Sequence, residues 1–242
     1  MTTTTETLGR LGNQIIRNLA VSLIAEKYDL YVNYSSKTII DGLGINLFCG
    51  KNSYNHTTRL HDYNYFSIYN SGEFKENLEP NHSFFQTKDI INFLYNYLHT
   101  DKIKSNIIDK NRFKSRYNNN NDVFIHVRLT DVAHFNPGIN YYLKTIQITD
   151  FDNLYISTDD CNHSIIQQII EHYPNAQILN YDEKDTIHFG STCKNIILSH
   201  GSFSAVIGYL SFFSNINYPE YEPRKIWYGD MFSINNWTKH SV

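Results

Sequence analysis

The sequence is short of cysteine, proline and tryptophan. It also lacks an excess of positive charge and any long apolar run. Cys49, Cys161 and Cys193 are the only 3 thiols in 242 residues, they lie far apart, and they form no C-x-x-C pair. That pattern argues against a disulfide framework or a structural zinc site and fits packed thiols in a reducing compartment. Lys and Arg number 21 against 24 Asp and Glu, a formal net charge of −3. A chain that grips a polynucleotide by charge is normally basic, so nucleic acid is not an expected partner. No apolar stretch reaches the roughly 18 residues that a membrane-spanning helix needs. The opening Met1–Glu6 is polar and Thr-rich, without the cationic and apolar regions of a secretory signal. A cytoplasmic protein without an integral membrane segment is therefore expected. Ala occurs 5 times and Asn and Ile 29 times each, a skew that reads as genome composition and points to no site. What is present is core material. Hydrophobic residues make up 41% and aromatics 15%, which excludes global disorder and suits one large domain or two small ones.

The first clear element is a helix over Gly12–Tyr28, where Ile15, Ile16, Leu19, Ala20, Leu23 and Ile24 recur on one face. Leu30–Tyr34 reads as a strand. Residues 35–82 resist assignment, with strand-like pieces such as Tyr63–Tyr69, and a strand at Ser83–Gln86 leads into a helix with Ile90, Ile91, Leu94, Tyr97 and Leu98 on its apolar face. The run Asn118–Asn121 reads as a solvated loop and a domain seam. Beyond it, strands at Val123–Val127, Leu154–Ser157, Ala176–Leu179 and Ile196–Ser199 alternate with helices. Those helices are expected at Tyr141–Ile148, His163–Tyr173, Thr186–Cys193 and Phe203–Phe213. The alternation implies an α/β fold with a parallel sheet covered by helices.

Ligands of open parallel sheets bind beyond the carboxyl ends of the strands, and three such ends carry polar residues. His126 and Arg128 fall on the same side of the first strand, and an Arg there offers a planar, always-charged fork for a diphosphate. Asp159 and Asp160 follow the second strand and could hold ribose hydroxyls or a purine edge. Ser202, Phe203 and Ser204 follow a strand–loop–helix junction, where free N–H groups suit an anion. Together the three ends describe a nucleotide-diphosphate site. Each has a plainer reading: Arg128 paired with Asp131 on the surface, Asp159-Asp160 as a turn and helix start, Ser202 as a helix cap. A metal reading of Asp159-Asp160 needs a further carboxylate at the right distance.

These residues carry a resemblance. Gly9-Arg10-Leu11-Gly12-Asn13-Gln14 resembles the G-G-L-G-N-Q opening of the alpha-1,2-fucosyltransferases, glycosyltransferase family 11. Phe84-Phe85-Gln86-Thr87-Lys88 is similar to that family's Y-F-Q-S-x-K segment, and His126-Val127-Arg128-Leu129-Thr130-Asp131 to its H-x-R-x-x-D motif. Tyr141 to Ile146 resembles Y-Y-x-x-A-I, Ser157-Thr158-Asp159-Asp160 resembles F-S-D-D, and Ser202 to Leu210 resembles S-x-F-S-W-W-G-A-Y-L. Trp227 and Trp237 fall where the family has its terminal tryptophans. The chain departs from the pattern at Leu129, where a second Arg is common, and at Ala205 and Val206, where two Trp are usual.

The resemblance implies a GT-B-like α/β architecture, two Rossmann-like halves with the active site in the cleft between them. Residues 1–120 would form the acceptor-side half and 121–242 the half that binds the nucleotide sugar. It implies an inverting, metal-independent transferase with no cofactor, using a nucleotide sugar, most often GDP-fucose, and an acceptor glycan. By position, Arg128 would contact the donor diphosphate, His126 would line the same pocket, and Gly12 and Asn13 would approach from the first half. Asp159 or Asp160 would touch the nucleoside, Ser202, Phe203 and Ser204 would close around the phosphates, and Asp131 is the candidate base. His134 is a second base candidate, and the segments 63–69 and 134–142 are where aromatic acceptor contacts are sought. The open alternatives are another nucleotide sugar on the same fold, or a degenerate module that binds without catalysis.

Overall fold

The structure is a computed structural model and describes residues 2–131, 133–220 and 229–242. The chain forms two compact units. The first runs to Ile107 and takes in Gly229–Met231; the second begins at Ile108 and includes Phe232–Val242. The division therefore precedes the expected seam. The run Asn118–Asn121 lies within the second unit because Asn120 is tied down there. Its Nδ2 donates to Arg116 O at 2.6 Å and Thr192 O at 3.0 Å, and its Oδ1 accepts from Asp122 N at 3.1 Å and Lys194 N at 3.2 Å.

In the first unit, strand β1 (Thr3–Thr4) pairs in parallel with β2 (Val32–Asn33). Between them runs helix α1 (Leu11–Tyr28), and α2 (Lys37–Gly42) follows. Strand β3 (Thr57–Arg59) pairs in parallel with β4 (Asn77–Glu79), with α3 (Tyr65–Tyr69) between them. Helices α4 (Lys88–Leu98) and α5 (Asp101–Lys110) come next. Among the described residues the strands of this unit thus make two short parallel ladders. The sequence predicts one apolar face on α1, yet its polar positions Gln14, Arg17, Asn18 and Ser22 are buried too. Two of them reach backbone elsewhere in the unit: Asn18 Nδ2 donates to Ser35 O at 2.6 Å, and Ser22 Oγ accepts from Phe48 N at 2.7 Å.

Arg17 is wholly buried, and its donors hold the segments on either side of α1. Nε donates to Ser83 O at 3.1 Å, Nη1 to Glu6 O at 3.0 Å, and Nη2 to Pro80 O at 3.3 Å and Asn81 Oδ1 at 3.0 Å. Two expected strands are not strands. Residues 63–69 form a 3-10 turn and α3, with Tyr65 buried and its hydroxyl donating to Ala20 O at 3.0 Å. At 83–86, Phe85 takes a φ of 55°, which breaks an extended run. Asp62 Oδ1 holds that conformation by accepting from Phe85 N at 2.8 Å.

The second unit matches the alternation in the sequence. Its strands are β5 (Val123–Val127), β6 (Leu154–Thr158), β7 (Gln177–Ile178), β8 (Asn195–Ile197), β9 (Asn215–Pro219) and β10 (Thr238–His240). They form a six-stranded sheet in the order β10-β9-β8-β5-β6-β7, every ladder parallel. Helices α6 (Ile139–Gln147), α7 (Ser164–His172), α8 (Glu183–Gly190) and α9 (Ser202–Tyr209) connect them. Numbered within the unit, the order is that of a Rossmann-type sheet, and it reverses between β5 and β8. Alternation along β5 assigns its two faces. Val123, Ile125 and Val127 share a core with Tyr141, Tyr142 and Ile146 of α6 and Ile166 and Ile169 of α7. Phe124 and His126 face the other way, toward Phe189 of α8 and Phe203 of α9. Among the described residues no helix is long and apolar enough to cross a membrane.

Candidate functional site

The point where a doubly wound sheet reverses leaves a crevice outside the carboxyl ends of the two flanking strands. Here those strands are β5 and β8. The end of β5 supplies His126 and Arg128, and the end of β8 runs through Ser199, His200 and Gly201 into α9. Ser199 joins the two, since its Oγ accepts from Arg128 N at 3.4 Å.

His126 is buried and hydrogen-bonded through Nδ1 to Ser204 Oγ at 2.5 Å, and Ser204 Oγ also accepts from Ser199 N at 3.1 Å. Burial, with a smaller contribution from the Arg128 charge, lowers its pKa to about 4. The ring is therefore neutral at physiological pH, and it joins β5 to the first turn of α9. Phe203 packs beside it, ring centroids 5.2 Å apart. Ser202 does not cap α9 as expected. Gly201 occupies the cap position at φ 102°, and no side-chain cap bonds the first-turn N–H groups among the described residues. That backbone region is open almost only to glycine. The uncapped N–H groups carry the positive end of the helix dipole.

Arg128 takes the plainer of the two readings weighed for it, a pair with Asp131. Its side chain is 15% exposed and sits between two carboxylates. Nε and Nη2 donate to Asp131 Oδ1 at 3.1 Å and 2.5 Å, and Nε lies 3.2 Å from Asp159 Oδ2. Asp159 is occupied with the loop after β5. Oδ1 accepts from Leu129 N at 2.7 Å, and Oδ2 from Thr130 Oγ1 at 2.5 Å. Burial by itself would raise the Asp159 pKa, but the Thr130 and Leu129 hydrogen bonds and the Arg128 charge hold it below the ordinary carboxylate value. The structure thus gives Asp159 a scaffolding task, fixing the main chain beside Arg128. Asp160 takes the plainer reading of a turn: its Oδ1 accepts from Asn162 N at 3.0 Å ahead of α7, whose cap is His163.

The loop from Leu129 to Gly138 is tied at its far end as well. Asn136 Nδ2 donates to Arg128 O at 3.0 Å and Tyr142 Oη at 3.1 Å, and its Oδ1 accepts from Gly138 N at 2.9 Å. His200 is bonded through Nδ1 to Phe135 O, and burial keeps its pKa below the usual imidazole value. His134, the second base candidate, is exposed and rests against Phe135 with ring centroids 3.9 Å apart.

Gly12 and Asn13 belong to the first unit. Gly9 takes φ 72° and its carbonyl accepts from Gln14 Nε2 at 2.8 Å; Asn13 Oδ1 accepts from Gln86 Nε2 at 2.7 Å. Two of the recognised motifs, the Gly-Asn loop and the Phe-Phe-Gln segment, therefore meet in space. In the second unit His126, Arg128, Asp131, Asp159, Phe203 and Ser204 are brought together, whereas Asp160 and Ser202 have no bond to them. Trp237 packs against α9, its ring filling the place where Gly208 would carry a Cβ. Trp227 lies outside the described residues. Thr130 and Ser199 were given no role in the sequence, and Asn136 and Tyr142 entered only as members of the segment 134–142. Thr130 stands inside the H-x-R-x-x-D motif and Ser199 at a predicted strand end, which were the available signals. Among the described residues no group of His, Cys, Asp and Glu side chains is placed to hold a metal ion.

A scan against known protein families finds no match to this chain, and a search of curated proteins finds none.

Proposed function

We propose that this chain is an inverting, metal-independent glycosyltransferase of GT-B type, resembling the alpha-1,2-fucosyltransferases. It moves a sugar, fucose from GDP-fucose first among the candidates, to a hydroxyl of an acceptor glycan. One observation carries the reading: Arg128 follows β5 at the reversal point of a parallel sheet, and its main-chain N–H is bonded to Ser199, just ahead of α9. In such a reaction the acceptor oxygen attacks the anomeric carbon as the diphosphate departs, and negative charge grows on the leaving oxygens. A fixed guanidinium and helix-start N–H groups are what stabilises that charge without reorganising. His126, neutral and hydrogen-bonded to Ser204, keeps β5 and α9 in register for the purpose. Asp131 is the carboxylate assigned to take the acceptor proton.

A binding module without catalysis is the second reading, and the two carboxylates on Arg128 favour it, because a diphosphate has to displace Asp131 before it reaches that fork. Incubating the purified chain with a panel of nucleotide sugars and measuring free nucleotide separates the two. Release of GDP from GDP-fucose that depends on added acceptor supports the transferase, and binding without release supports the module. In a thermal-shift panel, GDP at 100 times its Kd adds ~2.7 kcal/mol; a response to UDP in place of GDP moves the assignment to another donor.

A further inference from the structure

The first unit displays an aromatic side chain in an unusual setting. Tyr63 is 85% exposed, yet the turn that carries it, Asp62–Asn64, is fastened on every side. His61 N donates to Asn64 Oδ1 at 2.7 Å, Asn64 Nδ2 to Arg59 O at 2.9 Å, Asp62 N to Ser83 Oγ at 3.3 Å, and Phe85 N to Asp62 Oδ1 at 2.8 Å. One face of the Tyr63 ring stacks on His61, with centroids 5.1 Å apart and planes 13° from parallel. The His82 ring lies 6.2 Å beyond His61. Its Nε2 is 3.2 Å from Glu79 Oε1, and Glu79 Oε2 is 3.2 Å from Arg59 Nε. These form a continuous exposed row in which an aromatic face is followed by donors and acceptors on neighbouring side chains.

We propose that this row, Tyr63 with His61, His82, Glu79 and Arg59, is a carbohydrate-binding platform that seats a neutral sugar ring. A pyranose has an apolar C–H face that stacks on an aromatic ring and an equatorial girdle of hydroxyls that both give and take hydrogen bonds. Tyr63 offers the first partner, with the low entropic cost of a ring already held in place. Arg59, His82 and Glu79 offer the second. The Arg59–Glu79 ion pair balances its own charge, which suits a neutral ligand better than a phosphate or a sulfate.

The test is retention of the full chain on a printed array of neutral oligosaccharides, repeated for Tyr63→Ala, Tyr63→Phe and Arg59→Ala. The expected result is retention on a subset of neutral glycans, weakened about tenfold or more in Tyr63→Ala, kept in Tyr63→Phe, and weakened less in Arg59→Ala. Retention that ignores Tyr63→Ala, or no retention on any neutral glycan, overturns the platform. The thermal shift with GDP, measured on the same variants, reports separately on the donor side. Tyr63-dependent retention without a GDP shift keeps the platform and removes the transferase reading; a GDP shift with Tyr63-independent retention does the reverse.

Discussion

Arg17 in the first unit and Arg128 in the second are held in opposite ways, and the contrast separates architecture from chemistry. Among the described residues the hydrogen-bond acceptors of Arg17 are neutral oxygens, three backbone carbonyls and one Asn side chain, all in segments that have no sheet of their own to join. The cation takes the place of a ladder. Arg128 stands at the end of a strand whose five residues are all buried, in a unit whose sheet already satisfies the backbone. Its partners are carboxylates, one of them 48% exposed. A guanidinium surrounded by carbonyls cannot release them without unfolding something. One paired with an exposed carboxylate can exchange that partner for an incoming anion.

The sharpest way to break the comparison is Arg17→Met. It leaves carbonyls of Glu6, Pro80 and Ser83 without their donor, and several charged hydrogen bonds lost together cost on the order of 4 kcal/mol. Hydrogen exchange is expected to show α1 and the 80–83 segment unprotected. Protection equal to wild type would mean the clamp is dispensable. Arg128→Ala comes next and acts on rate: the fold persists, while turnover falls roughly 100-fold, ~3 kcal/mol in the barrier. Near-normal turnover with a normal urea midpoint would remove Arg128 from the mechanism.

His126 extends the contrast to pH. Arg17 stays charged in its carbonyl cage, whereas buried His126 stays neutral down to about pH 4. The unfolded chain takes up that proton near pH 6.5, so below 6.5 the unfolded state binds protons that the native state refuses. Stability is therefore full above pH 6.5, falls as pH drops, and has lost this contribution, about 3 kcal/mol, near pH 4. Urea midpoints at pH 7 and pH 4.5, compared with His126→Asn, check the sign. An equal decline in the variant would assign the acid sensitivity to other groups.

The same difference decides what was legible. Val123–Val127 announces itself because a strand buried on both faces must be apolar throughout, and its boundaries are as expected. The helices α6 and α7 follow for the same reason, one face against that sheet. In the first unit the information is long-range. Thr57–Arg59 is an exposed three-residue strand, and 63–69 has a β-prone composition but is made helical by the burial of Tyr65 and Ile68. Propensity loses to tertiary contact there. Arg17 looks like one more polar residue on the outer face of a helix until Glu6, Pro80, Asn81 and Ser83 are placed around it. In the site, residue types at strand ends pointed to His126, Arg128 and Asp131. The assignment of Asp159 to the loop could not be read in advance, because its partners Leu129 N and Thr130 are thirty residues away along the chain.

The smallest structural effect is expected of Asp131→Asn, and it bears on what Asp131 is for. An ion pair with one partner half exposed contributes under about 1 kcal/mol, so the melting temperature should barely move. Function should move in two separable ways. Losing the carboxylate removes the competitor for the Arg128 fork, so GDP should bind more tightly in the variant. Losing the base should at the same time lower acceptor-dependent turnover, and by a larger factor than the gain in binding. Calorimetric titration with GDP and a nucleotide-release assay on the same protein give the two numbers. Tighter binding with undiminished turnover would leave Asp131 as a latch on Arg128 and pass the role of base to another group. Unchanged binding would mean that Asp159, held in place by Thr130 and Leu129, is the carboxylate that governs Arg128.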